Sequence, residues 1–175
     1  MKIFPPVIVI FFAVLAANAQ TAKSDYGSES SFKEYFTLHQ GALDDIEGIW
    51  NVSTKQYYYH YDTLQDVIEA KKAARVAIVL KDGKYEAYII TGEWYNVEFT
   101  KTDVAGVYFY RNYFKETDEF SKTSAVISKH GQMQYQYEIP EKLARLRMED
   151  VYEEGMHVTN EVTWTKVLPE EGKKK

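Results

Sequence analysis

Residues able to perform acid–base or nucleophilic chemistry are scattered along this chain of 175 residues. No G-x-S-x-G, H-x-x-x-H or H-E-x-x-H motif occurs, so a serine nucleophile elbow and helical zinc ligation are not indicated. The absence of cysteine excludes thiol catalysis, disulfide scaffolds and cysteine-held metals. The four histidines lie in different segments, at His39, His60, His130 and His157. We therefore expect no enzyme, no metal site and no cofactor.

Arg111 is the strongest candidate for binding chemistry. It lies in VYFYRNYF, where strand alternation places it on the same face as Phe109 and Tyr113. An arginine that points into an aromatic interior can hold the carboxylate of a ligand. The alternative is that Arg111 lies on the outer face and packs over exposed rings. The residues leave these two interpretations open.

Two other segments carry polar groups among apolar ones. Arg145 and Arg147, in LARLRMED, are expected on an outer face, because Leu146 and Met148 form the better core face. The run YYYHY is different, since consecutive tyrosines place rings on both faces of a strand. The four tyrosines of this run are Tyr57, Tyr58, Tyr59 and Tyr61. They either contact a protein or a cell-envelope polymer, or pack against the predicted helix that follows.

The elements that position these residues are predominantly strands. The composition of 15 Tyr, 9 Phe and 3 Trp favours pleated, half-buried surfaces. Asp82-Gly83 and His130-Gly131 are hairpin signals, and Met133, Tyr135 and Tyr137 alternate with polar residues. Strands are predicted at residues 46–54, 75–81, 85–91, 94–102, 107–114, 122–129, 132–139, 143–151 and 158–167, with 57–61 as a further candidate. Short connections between so many strands predict an all-β, antiparallel up-and-down barrel of 8–10 strands.

Two short helices are expected to accompany the barrel. One precedes the first strand, where Phe32, Tyr35 and Phe36 have helical spacing and Ser30 or Ser31 can cap it. The other follows the first strand at residues 62–74, DTLQDVIEAKKAA, which contains neither Gly nor Pro.

The chain begins with the pattern of a secretory signal peptide. Lys2 precedes an apolar run, and Ala17-Asn18-Ala19 fits the cleavage rule, so we expect cleavage after Ala19 and a secreted or periplasmic protein. The apolar run is too short for a membrane span. The predicted organisation is a signal peptide at 1–19, a lead-in with a short helix at 20–45, a barrel at 46–169 and a charged tail at 170–175. The net charge of −5 argues against nucleic acid as the partner.

Gly48, Ile49 and Trp50 form a G-x-W motif on the first strand. This motif resembles that of the lipocalins and their calycin relatives, and the closing segment TWTKVLP resembles that of small secreted bacterial members. The resemblance implies that Trp50 closes one end of the barrel beside Gly48, with Lys166 packed over its ring. In the fatty-acid-binding branch an arginine and a tyrosine inside the barrel hold the ligand's head group.

The resemblance therefore implies a non-catalytic protein that binds a small hydrophobic or amphipathic ligand inside the barrel. Its expected binding residues are the arginine with one of two tyrosines, among neighbouring rings: Arg111, Tyr135, Tyr137, Phe109 and Tyr113. The alternative is a filled barrel whose surface contacts a protein or a cell-envelope polymer.

Overall fold

The chain folds into one closed barrel of eight antiparallel strands in the order β1 to β8, with β8 pairing back to β1. The computed structural model describes residues 27–169. The predicted signal peptide, the first residues of the lead-in and the charged tail lie outside the described residues. Among residues 27–169, no helix is both long and apolar enough to cross a membrane.

The barrel is an up-and-down meander, which confirms the predicted fold class. Its eight strands are β1 (Gly48–His60), β2 (Thr63–Lys81), β3 (Lys84–Ile89), β4 (Trp94–Lys101), β5 (Val107–Phe114), β6 (Glu119–Ile127), β7 (Gln132–Glu138) and β8 (Met156–Leu168). Helix α1 (Glu29–Leu38) precedes β1, and helix α2 (Glu141–Arg147) lies between β7 and β8. The run of tyrosines at 57–61 belongs to the end of β1 and the turn after it.

Local turn chemistry explains the hairpins. Asp82 and Gly83 have φ angles of 49° and 79°, the left-handed conformations that a two-residue type I′ turn requires. The β2–β3 pairing accordingly closes at Lys81 opposite Lys84. The hairpin predicted at Asp82-Gly83 is confirmed.

Successive side chains along each strand alternate between the lumen and the outer face of the barrel. On β7, Met133 and Tyr135 are buried while the glutamines on either side of each are exposed. The inward residues of all eight strands form one aromatic-rich core. A second cluster at the α2 end of the barrel includes Leu143, which is fully buried. Helix α2 therefore covers the end of the barrel opposite the Asp82-Gly83 hairpin.

The helix predicted at 62–74 is wrong, because this segment is the first part of β2. It pairs with β1 from Thr63 to Ala74, with register shifts that accommodate extra residues on β2. Leu64 and Val67, which were expected on a buried helical face, are 49% and 42% exposed. Pairing with β1 outweighs the helical spacing of these apolar residues, because a helix here would have no surface against which to bury them.

The strand predicted at 143–151 is also wrong. Residues 141–147 form α2, with Pro140 at its N-cap and Leu143 and Ala144 buried. Arg145 bonds Glu141 one turn earlier at 2.6 Å, a pair that only a helix brings together. Arg147 is largely buried and bonds Glu116 at 2.6 Å, so the expectation that it lies on an outer strand face fails too.

Helix α1 packs on the outside of the barrel. Its buried Phe32 and Phe36 join a cluster with outward residues of β1, β2 and β3, including Ile49 and Ala77. Its N-cap is Ser28, whose hydroxyl accepts from the Ser31 amide, rather than Ser30 or Ser31 as predicted. Arg75 ties the helix to β2 by bonding Glu29 at 2.8 Å.

Candidate functional site

The five predicted ligand-binding residues lie on two different faces of the barrel. Tyr135 and Tyr137 point into the lumen, as predicted. Arg111 does not: its side chain is 45% exposed, and its guanidinium lies 3.7 Å from the centre of the Phe120 ring on the outer face. Phe109, 61% exposed, and Tyr113 lie on that outer face as well. Of the two interpretations of Arg111, the outer-face one is therefore confirmed and the lumen-facing one is wrong, because alternation on β5 turns Tyr108 and Tyr110 inward.

Aromatic rings fill the middle of the lumen. Tyr110 stacks on Tyr135 with ring centres 4.1 Å apart, and Trp164 meets Phe99 edge to face at 5.7 Å. The indole N–H of Trp164 donates to the Tyr135 hydroxyl at 2.9 Å in a buried bond. A ligand in the middle of the barrel would have to displace these rings from each other. A ligand that leaves these rings in place would therefore have to bind nearer the ends of the strands.

Trp50 occupies the end of the barrel where β1 begins. It is fully buried, and its indole N–H donates to the Ile46 carbonyl at 2.9 Å. Lys166 Nζ lies 5.2 Å from the centre of the indole ring and donates to the Asp45 carbonyl at 2.6 Å. Beside them, a Cβ on Gly48 would lie 2.0 Å from the Leu168 carbonyl oxygen. The three residues expected to close the barrel therefore lie together at this end.

Replacing Lys166 with methionine tests its place over Trp50. We expect Lys166→Met to lower the free energy of unfolding by about 1 kcal/mol, because it removes a cation–π contact and a hydrogen bond but keeps the apolar stem. Urea unfolding measures the change. Lys72→Met, at an exposed position on β2, is the matched control; equal midpoints for both variants would contradict the role of Lys166.

Strands β6 and β7 stop pairing toward the α2 end of the barrel and leave a gap between them, which we call the opening. These strands pair only at Val126–Gln134 and Ile127–Met133, and they diverge toward α2. The Ser121 hydroxyl spans the divergence by donating to the Glu138 carbonyl at 2.9 Å. A cleft of about 680 Å³ lies here, within the size range of small-molecule sites. Residues of both wall faces line it, including inward Ser121 and Tyr137 and outward Phe120.

Tyr137 connects this opening with polar groups inside the barrel. Its hydroxyl accepts from Asn160 Nδ2 at 2.7 Å, and its ring stacks near Tyr110. Burial raises the pKa of Tyr137, so its hydroxyl stays protonated at neutral pH. The opening thus has a neutral hydroxyl with donor capacity at its inner end.

Unpartnered acceptors collect at the same end of the barrel. Among the described residues, Glu119 Oε2, Asn160 Oδ1 and Thr117 Oγ1 are buried side-chain oxygens without a hydrogen-bond partner. Asn160 is 3% exposed. Four carboxylates and one ammonium line the cleft itself: Asp118, Glu119, Glu138, Glu141 and Lys122. Buried acceptors without donors favour a ligand that carries N–H or O–H groups.

The tyrosine run at the end of β1 is largely engaged within the chain. Tyr57 donates to Glu161 on β8 at 3.0 Å, and Tyr59 stacks on His157 with ring centres 4.8 Å apart. Tyr58 lies on the lumen side and donates to Gln56 at 3.2 Å. Tyr61, 61% exposed, covers Gly155. An external partner at this run would therefore meet mainly Tyr61, so a contact through all four tyrosines stays a prediction.

Sequence reasoning missed the polar residues of the opening. Asn160 lies on the lumen face of β8 together with Val158, Val162 and Trp164, so alternation from those three apolar residues was a usable signal. Glu119 and Ser121 had no such signal, because β6 mixes small, polar and aromatic residues on both faces. Their importance follows from the divergence of β6 and β7.

The arrangement offers hydrogen-bonding groups and apolar side chains at the opening. Within residues 27–169, no group of three or more histidine, aspartate or glutamate side chains is placed to hold a metal ion. Comparison of the chain with protein-family models, curated protein sequences and solved structures finds no match. The resemblance of Gly48, Ile49 and Trp50 to the lipocalin motif accordingly stays a prediction.

Proposed function

We propose that this protein binds a small amphipathic molecule at the opening between β6 and β7, without chemical turnover. The observation that carries the proposal is the cleft of about 680 Å³ between β6 and β7, with Tyr137 among its lining residues. The apolar part of the ligand would pack against Tyr137, Ile139 and Phe120. The site differs from the one expected from the sequence, since Arg111 lies elsewhere on the outer face.

The polar part of the ligand is inferred from the unpartnered oxygens. Glu119 Oε2 and Asn160 Oδ1 can only accept hydrogen bonds, and carboxylates outnumber ammonium groups around the cleft. A protonated amine satisfies both conditions, whereas a fatty acid carboxylate would meet like charge. The proposed ligand is therefore a cationic amphiphile, such as a long-chain or aromatic amine.

Calorimetry with three probes, two cations and one anion, tests this function. Decyltrimethylammonium and decylamine serve as cations and decanoate as the anion, all below the concentration at which they form micelles. We expect one molecule of decylamine to bind, with weaker binding of the quaternary cation, which cannot donate hydrogen bonds, and none of decanoate. Decanoate binding as tight as decylamine binding, or no binding of either cation, would overturn the proposal.

Charge variants locate the probe at the opening. The double variant Glu119→Gln and Glu138→Gln removes two carboxylates, and we expect decylamine affinity to fall roughly fivefold. Glu149→Gln removes one charge at an exposed position outside the cleft and should leave affinity unchanged. Equal effects of both changes would place the probe elsewhere.

A further inference from the structure

A groove with charged and aromatic side chains lies on the outer face of β4, β5 and β6. The outward residues form three rows across the strands, which follow from the strand registers. We call this surface the outer groove. Its rows are Thr100–Phe109–Ser124, Glu98–Arg111–Lys122 and Tyr113–Phe120. Two adjoining clefts of about 570 and 260 Å³ follow these rows and share Glu98 and Arg111.

The outer groove is cationic on a chain that is acidic as a whole. Lys84, Arg111 and Lys122 line the larger cleft, and Glu98 is the single carboxylate among its lining residues. Glu98 lies 3.5 Å from Lys84 and 4.0 Å from Arg111, so it offsets only part of their charge. The chain carries a net charge of −5, so an anion is attracted here by local contacts and not by the overall field.

The hydrogen-bonding groups of the groove complement an acceptor. Trp94 lines the smaller cleft, and its indole N–H is buried without an acceptor among the described residues. The hydroxyl-bearing residues Thr100 and Ser124 line the outer face of the larger one. The β6–β7 opening has the opposite character, with unpartnered acceptors and an excess of carboxylates. The two clefts therefore differ in charge and in hydrogen-bonding character, although Phe120 and Lys122 each line the opening and the groove.

Aromatic rings lie toward both ends of the groove. Phe109 is 61% exposed at one end, and Phe120, 42% exposed, contacts Tyr113 at the other. Phe109 and Tyr113 are four residues apart on one strand, which is about 13 Å at the usual rise of a strand. Flat apolar surfaces at this spacing, separated by a charged row, fit a linear chain of sugar rings better than one compact molecule.

A peptide fits the groove less well. The main chain of β5 is paired with β4 on one side and with β6 on the other, so a peptide cannot add as a strand there and would lose that mode of recognition. Sugars need only side-chain donors and ring faces, which this surface presents. We propose that the outer groove binds an acidic polysaccharide whose pyranose rings carry carboxylates.

Binding to soluble uronate polymers tests this proposal. The probes are polygalacturonate, alginate and hyaluronate, with neutral dextran, dextran sulfate and poly-glutamate as comparisons, measured by calorimetry with the full chain. We expect at least one uronate polymer to bind and dextran not to bind. No binding of any uronate polymer would overturn the proposal, and so would equal binding of poly-glutamate, which would indicate an acidic-peptide site.

Variants separate the groove from general attraction to polyanions. We expect Arg111→Gln to weaken uronate binding at least tenfold, because a charged hydrogen bond is lost, and Phe109→Ser to weaken it by roughly fivefold through lost ring contact. Lys72→Gln and Leu146→Ser, both at exposed positions outside the groove, are the matched controls. Dextran sulfate binding as tight as uronate binding and insensitive to Phe109→Ser would identify a non-specific polyanion surface. Decylamine binding should be unaffected by Phe109→Ser, because Phe109 does not line the β6–β7 cleft, so the two sites can fail independently.

Discussion

Raising the pH from 10 to 12 is expected to unfold this protein cooperatively. Tyr95, Tyr110, Tyr135 and Tyr137 lie inside the barrel, and burial raises the pKa of each of them. Burial also raises the pKa of Tyr58 and of Tyr108 to about 12. In the unfolded chain these phenols ionise near pH 10. Above pH 10 the unfolded chain therefore releases phenol protons that the folded chain retains, so alkaline pH favours the unfolded chain.

The sign and size of the effect follow from proton linkage. A group whose folded pKa is raised contributes its full stabilisation below the unfolded pKa and loses it as the pH rises toward the folded pKa. Each buried tyrosine then costs about 1.4 kcal/mol per pH unit above 10. Among the lumen tyrosines, Tyr95, Tyr110 and Tyr135, whose pKa values are raised furthest, together remove about 4 kcal/mol at pH 11, which approaches the total stability of a marginally stable domain.

Circular dichroism and tyrosinate absorbance, recorded together during an alkaline titration, measure this transition. We expect both signals to change in one step, and the fold to return when the pH is lowered. Tyr135→Phe removes one lumen phenol and should reduce the pH dependence of unfolding by about one proton. A gradual rise of tyrosinate absorbance with unchanged circular dichroism would show that the phenols ionise within the folded barrel, contrary to this prediction.

Gly48→Ala is expected to destabilise the barrel by about 4 kcal/mol. Gly48 has a φ angle of 145°, which side-chain-bearing residues rarely adopt. An added Cβ would lie 2.0 Å from the Leu168 carbonyl oxygen and 2.9 Å from Lys166 Cε. The Leu168 carbonyl oxygen belongs to the backbone of β8. The close contact can therefore be relieved only by moving β1 away from β8, the two strands that close the barrel.

Urea unfolding of alanine variants at two other glycines provides the comparison for this prediction. Gly83 has a φ angle of 79° but open space around its Cβ position, so Gly83→Ala should cost only about 1 kcal/mol. Gly41 has neither a positive φ angle nor a close neighbour, so Gly41→Ala should leave stability nearly unchanged. A Gly48→Ala midpoint close to that of Gly83→Ala would show that the β1–β8 junction yields at little cost.

The sequence correctly predicted the elements whose pattern spans only a few residues and distinguishes a buried face from an exposed one. β7 alternates aromatic and polar residues, and the hairpin at Asp82-Gly83 needs only two residues with left-handed backbones. Segment 62–74 was misassigned because its apolar residues have helical spacing, although Leu64 and Val67 stay exposed on β2. Segment 143–151 was misassigned because alternating residues read as a strand, while Pro140 and the Glu141–Arg145 pair favour a helix.

The binding residues were harder to predict than the fold. β5 carries aromatic residues on both faces, with Tyr108 and Tyr110 inward and Phe109 and Tyr113 outward. Composition therefore could not decide on which side Arg111 would lie. A one-residue shift of register exchanges the two faces, and pairing with β4 and β6 fixes that register.

The sequence by itself determined an all-β meander rich in tyrosine, with Trp50 beside Gly48 on its first strand. Those properties depend on composition, alternation and turn residues, which act over a few positions. The tertiary structure decided that Arg111 faces outward, that α2 covers one end and that β6 and β7 diverge into an opening. Each of these depends on which strands meet when the barrel closes, and closure joins β1 to β8 across more than a hundred residues of chain.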